Sequence, residues 1–82
     1  MNFRLSVHAV TVAEERRIPL DWITRAVESA DSVEPRSDGT SHHLKSITEH
    51  GGRVLRVVVS TDTAPPVVVT VFFDRRMKGR TQ

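Results

Sequence analysis

The hydrophobic period of the chain changes once, near Asp31. Before that point apolar residues recur at helical spacing, and after it they alternate. Ser6 is placed to cap a first helix over Val7 to Arg17, with a competing start at Thr11, where Thr11-x-x-Glu14 reads as a capping box. Pro19 stops this helix. A second helix follows over Leu20 to Ser29. Ile23, Ala26, Val27 and Ala30 lie on one stripe of it, and Asp21 sits in the first turn, where the helix dipole favours a negative charge.

The alternating half predicts four strands. Ser32 to Arg36 leads into a turn at Arg36-Ser37-Asp38-Gly39, and Ser41 to Glu49 forms the next strand. Gly51-Gly52 reads as a two-residue hairpin connection, so His50 is expected to pair with Arg53. Counting outward sets Ile47 against Arg56, Lys45 against Val58 and His43 against Ser60, with Thr48–Leu55, Ser46–Val57 and Leu44–Val59 on the other, drier side. A loop with Pro65 and Pro66 then precedes a last strand, Val67 to Phe73, whose Val67, Val69, Val71 and Phe73 are assigned to the core. The expected fold is α+β, with two N-terminal helices packed on one face of a four-stranded antiparallel sheet. Residues 1–74 form this single domain, and 75–82 form a basic tail.

That register has a chemical consequence. The sheet face turned away from the helices would carry His43, Lys45, Arg56, Thr70 and Phe72, a mixture of imidazole, cations, hydroxyl and ring. Arg53 falls on the core-facing register beside the hairpin and is expected as a rim contact.

Composition narrows the reading further. Eighty-two residues suffice for one small core, too little for a large cofactor enzyme. The absence of cysteine excludes disulfides, a thiol nucleophile and thiolate metal centres. The formal net charge is only +2, but ten of the twelve basic residues are arginine, whose planar fork suits phosphate. No apolar run reaches the roughly 18–20 residues of a membrane span, and the N-terminal stretch has no signal-peptide core, so a cytoplasmic protein away from the membrane is expected. His42 and His43 are adjacent and would point to opposite faces of a strand, and no H-x-x-x-H spacing occurs. Neither a metal nor a cofactor is therefore expected.

Several short motifs agree in order and spacing with a known family. Ser6-Val7-His8-Ala9 is followed by Glu15-Arg16 and Ile18, then Leu20-Asp21-x-Ile23 and Asp31-x-Val33-Glu34. Gly52-Arg53-Val54-Leu55-Arg56-Val57-Val58-Val59 and Val69-Thr70-Val71 complete the set. From Leu5 to about Asp74 the chain resembles domain of unknown function 4258, a bacterial family. Val12 stands where that family often has Arg, and Arg17 where Gly is common. The resemblance implies a fold similar to the RelE and BrnT toxin ribonucleases, and with it metal-independent RNA cleavage.

Such chemistry needs a group to take the proton of the 2′-hydroxyl and cations to stabilise the phosphorane. His8 is the expected proton-transfer group, Arg16 and Arg56 the phosphate clamps, and Thr70 a hydrogen-bonding support. His43, Lys45, Arg53 and Phe72 would contact substrate, the last by stacking on a base. The expected partners are RNA, free or on the ribosome, and an antitoxin protein. The alternative reading is a non-catalytic module that binds a protein partner through its strand edges or its basic face. Arg75, Arg76, Lys78 and Arg80 would extend the basic footprint through the tail.

Overall fold

The computed structural model describes residues 2–76. In chain order the elements are β1 (Arg4–Leu5), α1 (Val7–Glu15), α2 (Leu20–Glu28), β2 (Ser32–Pro35), β3 (Thr40–Ile47), a short 3-10 turn (Thr48–His50), β4 (Arg53–Ser60) and β5 (Val67–Phe73). The strands form one sheet in the order β1-β5-β4-β3-β2. Four of them pair antiparallel as expected, but β1 adds a parallel edge beside β5, so the sheet is five-stranded and mixed. Two residues give no readable alternation, which is why the sequence pattern does not contain β1.

Local chemistry accounts for the helix ends. The Ser6 hydroxyl accepts the backbone N–H of Ala9 at 3.0 Å, which satisfies one of the donors that a helix start leaves open. Thr11 does not compete as a cap. It lies inside α1, and its hydroxyl donates to the Val7 carbonyl. At the other end Ile18 N–H reaches the Ala13 carbonyl and Arg17 N–H reaches the Glu14 carbonyl, a Schellman closure that ends α1 before Arg17. The residue forced into the left-handed region is Arg17, with φ 57. Glycine takes that conformation without steric cost, so Arg17 carries about 1–2 kcal/mol of strain.

The helices cover one sheet face. Ala9, Ala13, Ile18, Ile23, Ala26 and Val27 pack against Ile47, Leu55, Val57, Val59, Val68 and Val71, with Phe3, Leu5, Trp22 and Phe73 around them. Each large aliphatic residue buried here contributes about 1.5–3 kcal/mol relative to exposure. On β5 the strict alternation fails. Val58 faces Thr70 but Val59 faces Val68, so a bulge leaves Val69 outside the ladder and half exposed while Val68 is fully buried. The assignment of Val69 to the core is thereby corrected.

The β3–β4 register differs from the expected one by three residues. Ile47 faces Arg53, Leu44 faces Arg56 and His43 faces Val57. The cause is at the turn. Thr48, Glu49 and His50 leave the strand for the 3-10 turn, with Gly52 N–H bonded to the Ile47 carbonyl, so five residues connect the strands in place of two. Arg25 of α2 pulls Glu49 out by bonding it at 2.6 and 2.9 Å, and His50 packs between Trp22 and Phe73. Both hairpin glycines do take positive φ, at 68 and 74. A slip of an odd number of residues turns every side chain of a strand to the opposite face.

Candidate functional site

The changed register separates residues that the sequence pattern had placed together. His43 pairs with Val57 and Lys45 with Leu55, so both stand on the helix side of the sheet, not on the face turned away from it. Lys45 reaches Asp31 at 3.3 Å, and Asp31 also accepts the Ser46 N–H at 2.8 Å. These bonds, chiefly that from Ser46, hold the Asp31 carboxyl below its ordinary range. Lys45 thus ties the end of α2 to β3. His43 Nδ1 is buried without a hydrogen-bond partner.

Arg56 does lie on the face away from the helices, but it is no open clamp. It is only 6% exposed. Its Nε and Nη2 donate to Asp74 Oδ2 at 2.9 and 2.7 Å, and its Nη1 donates to Glu34 at 3.2 Å and to His42 Nδ1 at 2.9 Å. One guanidinium therefore joins β2, β3, β4 and the residue after β5. Burial works against ionised Asp74, yet Arg56 and the Arg76 N–H outweigh it and keep the carboxyl below its usual range. Burial and the neighbouring Arg36 and Arg56 charges lower the pKa of His42, so its ring is neutral and can accept from Arg56.

The remaining candidates do converge. An open groove of about 600 Å³ runs between α1 and β5, lined by His8, Val12, Arg16, Arg53, Thr70, Phe72, Phe73 and Arg75. His8 and Val12 lie four residues apart on one face of α1, and Arg16, its C-cap, continues that line. Thr70 and Phe72 belong to the far face of β5, reached around the sheet edge. Arg53 enters from the start of β4, with its guanidinium 5.9 Å from the centre of the Phe73 ring. Five of the eight expected site residues thus share one groove, and His43, Lys45 and Arg56 do not.

The groove exists because β1 is so short. It pairs only with Val67 and Val68, which leaves the rest of the β5 edge to other partners. Ser6 Oγ donates to the Val69 carbonyl at 3.0 Å and Arg16 Nη1 to the Val71 carbonyl at 3.1 Å. Arg16 is therefore both groove lining and edge seal, with one of its donors committed to the fold. Arg75 is the lining residue that the sequence reading had left in the tail. The signal was its position directly after Asp74, which Arg56 anchors. Lys78 and Arg80 of the tail lie outside the described residues.

The electrostatic character is one-sided. Three guanidinium groups and one imidazole meet a hydroxyl and two rings, and no carboxylate lines the groove among the described residues. Such a surface suits a polyanion with stackable groups. Among the described residues no cluster of three His, Asp or Glu side chains is placed to hold a metal ion, and no helix is long and apolar enough to cross a membrane.

A two-helix layer on a mixed sheet, with a cationic groove at the sheet edge, defines a small α+β domain. The chain belongs to the domain of unknown function 4258 family (DUF4258), whose model matches residues 5–73. No curated protein and no solved structure matches it.

Proposed function

We propose that the groove between α1 and β5 binds RNA and that His8 gives it a metal-independent cleaving activity of the RelE and BrnT type. The observation that carries this reading is the convergence of Arg16, Arg53 and Arg75 with His8 and Phe72 where no carboxylate competes. Arg53 and Arg75, with no ion pair elsewhere among the described residues, grip phosphate oxygens through their forks. Phe72 stacks a base. His8 takes the proton of the 2′-hydroxyl as that oxygen attacks phosphorus. The 5′-oxygen then leaves with a proton from the imidazolium or water, and a 2′,3′-cyclic phosphate remains. The arginines stabilise the charge on the phosphorane. Arg56 has no part in the step, because its donors are spent on Asp74, Glu34 and His42.

Fluorescence anisotropy with a labelled single-stranded RNA tests the binding step. Affinity is expected to fall steeply with salt, and Arg53→Ala with Arg75→Ala is expected to reduce the log–log slope by roughly 1.4. Binding that ignores salt, or a slope untouched by the double substitution, overturns the reading. Cleavage is tested separately by end-labelled RNA and His8→Ala. Cyclic-phosphate products that persist in this variant remove His8 from the mechanism, and RNA that is bound but never cut leaves a binding module.

A further inference from the structure

A second groove lies on the opposite side of α1, and its character is the reverse of the first. It measures about 460 Å³, and its walls include Val10, Ile18, Leu20 and Ile23, with Glu14 and Arg17 at its charged rim. Leu20 is 60% exposed and Val10 41%. Val7, one turn before Val10 on the same stripe, is 84% exposed. Large aliphatic side chains left this open beside an apolar cleft mark a surface that another body covers.

The charges indicate which body. Glu14 and Arg17 are three positions apart at the end of α1, yet neither forms an ion pair within the chain among the described residues. A partner of one dominant sign would match only one of them. A surface that carries both signs around an apolar centre is complementary to itself under a two-fold rotation, in which residue i meets j and j meets i. We propose that this groove is the interface between two copies of this chain, related by a two-fold axis that sets Glu14 of each copy against Arg17 of the other. The same rotation carries Leu20 of each copy toward Val10 and the groove of the other, burying the exposed aliphatics. The strained backbone of Arg17 fits this assignment. A glycine would close the helix at lower cost, but only a side chain supplies the charge at the rim.

Sedimentation velocity on the full chain across a concentration series tests the proposal, with far-UV circular dichroism to confirm folding. The expected result is a monomer–dimer equilibrium. Glu14→Arg alone and Arg17→Glu alone are each expected to weaken dimerisation by about tenfold or more, because each brings like charges together twice. Glu14→Arg combined with Arg17→Glu restores the opposite pairing and is expected to return the dimer. Leu20→Asp, at an exposed position where folding tolerates charge, is expected to abolish association. A protein that stays monomeric up to about 1 mM overturns the proposal. So does a dimer indifferent to the single charge reversals and to Leu20→Asp, since its interface must lie elsewhere.

Discussion

On the sheet face turned away from the helices, Arg56 meets two carboxylates and an imidazole; beside α1, Arg53 and Arg75 meet rings, a hydroxyl and solvent. The side chain is the same in both places, and its surroundings divide its uses. Where carboxylates are in reach and water is excluded, the guanidinium becomes a strut that ties three strands to the residue after the fourth. Where they are absent, the donors remain for a ligand. An arginine in a sequence pattern is therefore uninformative until the acids near it in space are known.

The contrast predicts opposite outcomes for the same substitution. Arg56→Ala leaves Asp74 buried with only the exposed Arg76 guanidinium, 3.6 Å away, as counter-charge, and a loss of about 3 kcal/mol in stability is expected from denaturant unfolding. Combining Arg56→Met with Asp74→Asn removes both charges and is expected to recover part of that loss. Arg53→Ala and Arg75→Ala, both at exposed positions, are expected to change stability by no more than about 0.5 kcal/mol. Equal destabilisation at the two places would erase the distinction between strut and ligand contact.

The strut also has a pH dependence. His42 must be neutral to accept from Arg56, and its folded pKa lies below the ordinary 6.5. The unfolded chain binds the proton first as pH falls, so this stabilisation is complete above about pH 6.5 and is lost as pH drops through the depressed folded pKa. Thermal unfolding from about pH 7.5 to about pH 5 is expected to show the decline. His42→Asn keeps an acceptor but does not titrate, and it should flatten the curve over that range. An unchanged curve would mean that protonation does not break the bond.

The smallest effect concerns the end of α1, between the two grooves. Arg17→Gly relieves the positive φ but adds chain entropy to the unfolded state, and a net gain of about 0.5–1 kcal/mol is expected by thermal melting. Measured at concentrations low enough to keep the chain monomeric, destabilisation would show that the Arg17 side chain supports the monomer itself.

Both helices and four strands were legible because their signals are local. The Ser6 cap, the stop at Pro19 and the stripe Ile23, Ala26, Val27 each depend on a few neighbouring residues. The pairing of β3 with β4 was not legible, since it depends on Arg25 drawing Glu49 out of the strand and on Trp22 and Phe73 enclosing His50. Those partners are distant in sequence, and the Gly51-Gly52 pair fits either loop length. One such slip reversed the faces of His43 and Lys45. The bulge at Val69 has the same origin, because a skipped residue leaves no mark in a run of valines. His8, Arg16, Arg53, Thr70 and Phe72 gather in spite of these differences. The α1 residues and the start of β4 meet at the β5 edge, and Thr70 and Phe72 keep the outward parity expected of them.

The sealing of β5 by Ser6 and Arg16 bears on how the molecule behaves in a crowd. A bare strand edge is a template on which another chain can add by backbone pairing. Here the Val69 and Val71 carbonyls are already occupied by α1, and the opposite edge, β2, is four residues long and ends at Pro35, which has no N–H to offer. A valine-rich sheet of this kind would otherwise be prone to aggregate. The two side chains that flank α1 keep the sheet's longest open edge closed to fibre growth, and substituting Ser6 or Arg16 would expose that hazard.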